Sequence, residues 1–229
     1  MFVSRSMTEK VITVRKETSL LEAQDLMNKH QIRHLPVVDD DNILMGIITD
    51  RDIRGALPYH LVKEKPDSQE RAKYAHLKVE TYMTDKPATI SPEHTLQDAL
   101  LLIQEKRMGA FPVVDRDGRL KGIISVRDLL RAFINVLGIG EPGTLLCILA
   151  EEKVGQLKRI VDVITEEKIS CGSVLVARYF EKDKRAVFPY LLTNNVMRVK
   201  QRLRELGFEI LDPMQWYLDQ LPKAAPPEA

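Results

Sequence analysis

Two short patterns stand where chemistry could be done. Thr49-x-x-Asp52 and Ser125-x-x-Asp128 each place a hydroxyl three residues ahead of a carboxylate, with Arg51 and Arg127 between them. Each lies where a β-branched run passes into a helical one. Backbone N–H groups at a helix start point outward and carry partial positive charge, which suits a phosphate. A hydroxyl there adds a hydrogen bond, and an aspartate one turn later can accept two bonds from a ribose diol. An arginine between them supplies cationic donors for an anion. The same spacing is also a capping box, in which hydroxyl and carboxylate satisfy the N–H groups of the helix start itself. The two roles are compatible, and spacing alone leaves both open.

The patterns are copies of one another. Shifted by 76 positions, residues 3–56 fall on 79–132 without a gap, and 21 of the 54 positions are identical. LPVVDDDNILMGIITDRD (35–52) falls on FPVVDRDGRLKGIISVRD (111–128), and Met7-Thr8 on Met83-Thr84. A duplicated unit is the dominant signal in the chain. Each copy predicts the same elements. Val11 to Val14 reads as a short strand. Ser19-x-x-Glu22, matched by Thr95-x-x-Asp98, opens a helix carrying Leu20, Ala23, Leu26 and Met27 at helical spacing. The strands Leu35 to Val38 and Leu44 to Thr49 flank a polar turn. A second helix begins near Asp50. A β-α-β-β-α unit of this size is small for a core of its own, so two copies should pack together.

The repeats occupy 1–60 and 79–137, with a charged linker at 61–78 that holds a short exposed helix. Beyond the Gly- and Pro-rich GIGEPG (138–143), residues 143–212 follow a different order. A strand at 145–150, a helix at 154–164, a hairpin around EKDKR (181–185), a helix striped by Val196, Val199, Leu203 and Leu206, and a strand at 208–211 make β-α-β-β-α-β, the ferredoxin-like order. The fold class is therefore mixed α/β (α+β). The last stretch, 213–229, ends in PKAAPPEA and is expected to be disordered there.

Composition narrows the function classes. Lys and Arg total 34 against 33 acids, without the basic excess of a general nucleic-acid binder. No membrane-spanning run and no apolar signal core are present, so a cytoplasmic location is expected. Cys147 and Cys171 make neither a disulfide framework nor a four-cysteine zinc site, and both read as small buried thiols. His30 and His34 are four apart, but the strand begun by Pro36 argues against a metal pair, and no metal site is expected. Arg198, Lys200, Arg202 and Arg204 beside an apolar stripe read as a solvated helix face. Walker A, Rossmann and nucleophile-elbow motifs are missing from the sequence.

The doubled Pro-Val-Val-Asp, turn, Gly-Ile-Ile-Thr/Ser-x-x-Asp pattern resembles the cystathionine β-synthase (CBS) domain, which occurs as tandem pairs; the likeness covers residues 3–132. The resemblance implies a pseudo-twofold Bateman module with two clefts for AMP, ADP, ATP or S-adenosylmethionine. It implies that Asp52 and Asp128 hold ribose hydroxyls and that Thr49 and Ser125 face ribose or phosphate, with Arg51 and Arg127 nearby. Ile12, Thr13, Ala88 and Thr89, with Arg33, His34, Pro36, Gly109, Ala110 and Pro112, would line the adenine slots. Because His34 and Arg33 are matched by Ala110 and Gly109, the two pockets are expected to differ. Residues 143–212 resemble an ACT domain, in element order and in Gly155-x-Leu157 opening the first helix. That implies an amino-acid site at Val154, Gly155 and Leu157, or simple dimerisation. The whole arrangement is similar to bacterial acetoin-utilisation B type proteins. The expected function is that of a non-enzymatic regulatory sensor, dimeric, needing no cofactor, with no nucleic-acid or membrane partner and with a regulated protein partner. A ligand-free dimerisation module and an enzyme with a C-terminal active site are the alternatives.

Overall fold

The computed structural model describes residues 1–59, 61, 68–181 and 183–211. It divides into two compact units, Met1–Arg131 and Ala132 onward. The charged linker falls partly, and the C-terminal tail wholly, outside the described residues; within the linker Ser68–Tyr74 is helical.

The first unit is built from the repeat. In copy one, helix α1 (Leu20–His30) starts at Ser19, whose Oγ accepts the Glu22 N–H at 3.2 Å. It turns its Leu20, Leu21, Ala23 and Met27 face inward and stops at Gln31 in left-handed conformation. Strands β1 (His34–Val38) and β2 (Leu44–Thr49) pair antiparallel, with His34 opposite Thr49. Asp39 shapes the turn between them, its Oδ1 accepting the N–H groups of Asp41 and Ile43. Helix α2 (Asp50–Ala56) follows at once. The linker helix α3 (Ser68–Tyr74) and the single turn α4 (Val79–Tyr82) lead to strand β3 (Thr84–Asp85). Copy two repeats the plan with α5 (Leu96–Lys106), β4 (Ala110–Val114), β5 (Leu120–Ser125) and α6 (Val126–Leu137). Asp115 repeats the Asp39 turn, accepting from Asp117 and Arg119.

The first strand of each copy is shorter than its sequence predicts. Val14 makes one parallel bridge to Val37, and Ile90 one to Val113. The reason is that the chain before each bridge is already committed elsewhere. Thr8 pairs with Ile123 of the other copy, and Thr84 with Ile47. Five residues carry the chain from each such pairing to its bridge in the home copy, which leaves one bridging position. Phe2 with Thr95 and Ser19 with Lys78 are exchanged the same way, and Ile43 pairs with its own counterpart, Arg119. Each of these bridges recurs with its partners interchanged, which is the signature of a pseudo-twofold axis.

Two glycines let the exchanged segments approach. A Cβ on Gly122 would lie 2.9 Å from the Thr8 carbonyl oxygen and 2.7 Å from Met7 Sδ. A Cβ on Gly46 would meet Thr84 and Met83 at the same distances. The core of copy one gathers Val14, Leu20, Met27, Leu35, Val37, Ile48 and Ile53. In copy two, Phe111, Val113, Ile124 and Leu129 are equally buried.

The second unit consists of β6 (Thr144–Leu145), β7 (Cys147–Glu151), α7 (Gln156–Glu166), β8 (Cys171–Glu181), β9 (Lys184–Leu191), α8 (Met197–Glu205) and β10 (Glu209–Leu211). The sheet runs β10-β7-β9, with β8 on β9 and every pairing antiparallel. Strand β6 continues the line of β7 along β9. Helices α7 and α8 bury Ile160, Val163, Ile164, Val199 and Leu203 against Leu146, Ile148 and Val187. On α8, Arg202 pairs with Glu166 and Glu167, and Arg198 lies 3.7 Å from Glu167. The basic helix thus spends part of its charge inside its own unit. Cys147 is buried, whereas Cys171 is exposed, contrary to the sequence reading, because it opens the outer strand.

Gly46→Ala and Gly122→Ala are each expected to destabilise the first unit by about 1–3 kcal/mol, since backbone must shift to admit the methyl group. Gly55→Ala on α2, whose Cβ would meet nothing within 4 Å, is expected to stabilise it by about 0.5–1 kcal/mol. Urea unfolding of the three variants checks both signs.

Candidate functional site

Both predicted capping boxes are formed. The Asp52 Oδ2 accepts the Thr49 N–H at 2.8 Å and its hydroxyl at 2.7 Å, while Thr49 Oγ1 accepts the Asp52 N–H. The Asp128 Oδ2 accepts the Ser125 N–H at 2.9 Å and its hydroxyl at 2.6 Å. Asp128 Oδ1 takes a further bond from Arg131 Nη2. The capping role is therefore real in both copies. It leaves the carboxylates fixed at the ends of β2 and β5, with Asp128 only 6% exposed.

A cleft of about 520 Å3 opens beside Asp128. That lies within the range of small-molecule sites. Its walls come from both copies. Copy two contributes Ser125, Arg127, Asp128 and Arg131 from the β5–α6 junction, with Gly109 and Ala110 from the start of β4. Copy one contributes the exchanged segment Thr8 and Lys10 to Ile12, and the α1–β1 connection with Arg33 and His34. The exchanged pairing of Thr8 with Ile123 is what delivers Lys10, Val11 and Ile12 to the far copy's helix start.

Of the residues expected to form sites, Ile12, Arg33, His34, Gly109, Ala110, Ser125, Arg127 and Asp128 meet here. Thr13, Pro36, Thr49, Arg51, Asp52, Ala88, Thr89 and Pro112 do not line this cleft. The repeat matches Thr49, Arg51, Asp52 and Ala88 to Ser125, Arg127, Asp128 and Ile12, so they belong to the twofold-related position. Pro36 and Pro112 are buried in their strands, and their carbonyls hold the N–H groups of Val14 and Ile90 at 3.1 Å. Val154, Gly155 and Leu157 lie at the start of α7, where Gly155 has φ 91° and Val154 is fully exposed.

One grouping differs from the sequence reading. Arg33 and His34 were expected in one pocket, with Gly109 and Ala110 in the other. All four line the same cleft, and a Cβ on Gly109 would stand 3.4 Å from the His34 ring. They meet because the starts of β1 and β4 lie on either side of the pseudo-twofold axis. What distinguishes the two positions is the helix start, where Val126 and Arg131 in copy two match Asp50 and Gly55 in copy one, and the lent segment, where Val11 and Ile12 match Pro87 and Ala88. Lys10 and Arg131 escaped the sequence reading. The matched Met7-Thr8 and Met83-Thr84, ahead of any predicted strand, were the signal for the first; the Gly55/Arg131 mismatch was the signal for the second.

The cleft is cationic. Lys10, Arg33, Arg127 and Arg131 face it, against the single carboxylate of Asp128. His34 adds no full charge at neutral pH: burial and, after it, Arg33 push its pKa down from 6.5, against a smaller upward pull from Asp52 and Asp50. Among the described residues, no three His, Cys, Asp or Glu side chains gather where they could hold a metal ion.

The CBS domain model matches residues 3–59 and 79–135. A CBS domain-containing protein of Dictyostelium discoideum is 36% identical over 135 residues, which are 59% of this chain and 92% of that protein. The inosine-5'-monophosphate dehydrogenase of Aquifex aeolicus is 32% identical over 121 residues, spanning 52% of this chain and 22% of the enzyme. Among solved structures, AcuB of Vibrio cholerae, a candidate acetoin utilization protein, matches with TM-score 0.51 and 27% identity over 61% of this chain and 96% of its own. CBSX2, a CBS-pair protein of Arabidopsis thaliana, matches with TM-score 0.51 and 28% identity over 58% of this chain and 94% of its own.

The depressed His34 value has a consequence for stability. Between the unfolded value of 6.5 and the lower folded one, the unfolded chain holds a proton that the folded chain declines. Stability is therefore full above that window and falls as pH drops through it. His34→Gln is expected to flatten the fall seen as pH drops below 6.5 relative to the parent, as read by urea titration at each pH.

Proposed function

The chain belongs to the CBS domain family, and on that premise we propose that it is a non-enzymatic regulatory protein that senses an adenosine-containing ligand in the clefts of its CBS pair. CBS pairs are regulatory modules, found alone and, as in the dehydrogenase relative, as part of an enzyme. The observation that carries the reading is the cleft shared by the two repeats. It sets a buried carboxylate with fixed geometry beside four cations in a volume suited to a small molecule. A carboxylate of that kind can accept a ribose diol, cations nearby can hold phosphate, and the aliphatic wall of Val11, Ile12 and Ile123 can take a base.

A ligand held by both repeats can stabilise one arrangement of the two copies over another, and only such differential binding makes a switch. A tenfold difference in affinity corresponds to about 1.4 kcal/mol. One charge-assisted bond made in one arrangement and not in the other is enough. In this reading the second unit, with its ACT-like element order, mediates self-association. Its outer strand β8 pairs only with β9 among the described residues and exposes Leu175 and Val176. The state set by the ligand passes to a partner protein or to the chain's own dimer.

Calorimetric titration with AMP, ATP and S-adenosylmethionine tests the ligand reading against that of a ligand-free module. Asp52→Asn and Asp128→Asn keep an acceptor oxygen, so both are expected to unfold within about 1 kcal/mol of the parent. Asp128→Asn is expected to lose about tenfold or more in nucleotide affinity and most of the ligand-induced rise in Tm. If it keeps the full rise, the carboxylate is a cap and nothing more. Light scattering at micromolar concentration is expected to return at least twice the 26.2 kDa chain mass.

A further inference from the structure

We infer that Arg131 makes the Asp128 cleft selective for a nucleoside 5'-phosphate over uncharged nucleosides and over sulfonium-bearing ones. This rests on the adenosine reading above and concerns which members of that class the cleft accepts.

The Asp128 carboxylate is heavily engaged. Oδ2 already accepts two bonds from Ser125, and Oδ1 accepts one from Arg131. A ribose diol needs two acceptor positions, so binding at Asp128 displaces the guanidinium. The two partners differ in freedom: the Asp128 side chain is 7% exposed and held by the cap, whereas that of Arg131 is 65% exposed. Arg131 is the one that moves.

Where it goes decides the selectivity. Lys10, Arg33 and Arg127 already line the cleft, and Asp128 is its one carboxylate. A displaced Arg131 facing an uncharged nucleoside has no anion to turn to, and a sulfonium adds a further positive charge. A 5'-phosphate offers oxygens that accept guanidinium bonds in the geometry arginine prefers. The exchange then keeps Arg131 paired with an anion, while the diol hydroxyls donate to Asp128 in its place. The i,i+3 spacing on α6 keeps Arg131 on the helix face that carries Asp128.

The repeat supplies an internal control. Asp52 makes the same cap as Asp128, yet the residue matching Arg131 is Gly55, and that matching Val126 is Asp50. The arginine is thus not part of what the cap or the fold requires. It is present only where the helix start lacks the additional acid, which is where an anion is best tolerated.

The test uses the full chain in an Asp52→Asn background, so that titrations report the Asp128 cleft. Affinities for AMP, adenosine and S-adenosylmethionine are measured by calorimetry in that background, then with Arg131→Gln and with Arg131→Lys added. Thermal unfolding without ligand confirms that the variants fold. AMP is expected to bind about tenfold or more tighter than either other compound. Arg131→Gln is expected to remove most of that preference by weakening AMP while leaving adenosine unchanged or tighter, and Arg131→Lys to restore much of it. A preference that survives Arg131→Gln, or an equal loss of AMP and adenosine binding, overturns the selectivity role while leaving the adenosine reading intact. Failure of all three compounds to bind the unmutated chain overturns the adenosine reading, and this inference with it.

Discussion

The exchanged pairing of Thr8 with Ile123 and of Thr84 with Ile47 is the constraint on which the first unit turns. Each copy is too short to close its own core and lends the segment ahead of its first strand to the other. Gly46 and Gly122 ease the exchange because they present no Cβ to the incoming backbone. It ties the two halves together by main-chain hydrogen bonds, which do not depend on side-chain identity. It also sets where a cleft can form, because the lent segment continues past the partner's helix start before returning to its own copy. Fold and site share one cause.

The capping boxes show the same economy at a smaller scale. A helix that starts directly from a strand has N–H groups to satisfy, and a Ser or Thr three residues before an Asp satisfies them. The arrangement fixes a carboxylate at the mouth of the cleft without a dedicated scaffold. It also limits that carboxylate, since an oxygen engaged by the cap has fewer lone pairs for a ligand. Asp52 and Asp128 obey the same local rule, and their surroundings set them apart: Asp50 and Gly55 in one copy, Val126 and Arg131 in the other. Duplication preserved the part that folding needs and left free the part that meets solvent.

The second unit solves its own packing with a single sheet. Strand β9 lies between β7 and β8, so the connection through α7 passes over it and the two helices lie on one face. The opposite face is not bare: Cys147, Leu149 and Ala186 are buried there with Ala177 and Phe188 beside them. Burial of Cys147 raises its thiol pKa, which keeps it protonated and unreactive at neutral pH.

The sequence alone determined the elements and their duplication. Local patterning placed the starts of α1 and α2 and the spans of β1 and β2 close to where they are observed, since each is decided by a cap or turn within a few residues: Ser19, Asp39, Thr49. The family followed from the doubled motif, and Asp128, Ser125 and Arg127 were legible as a site because their spacing is local. What the tertiary structure decided was which residues meet. The first strands shrank to single bridges because the chain ahead of them was engaged by the other copy, a demand that no window around Val14 or Ile90 contains. Arg33, His34, Gly109 and Ala110 came to one cleft because a pseudo-twofold axis lies between the starts of β1 and β4, whereas a repeat alignment sets such residues apart as equivalents. Lys10 and Arg131 joined them from segments more than a hundred residues apart. Local patterns specify elements because their causes lie within a turn or two of chain. The composition of a cleft between two copies depends on long-range pairing, which only the folded backbone displays.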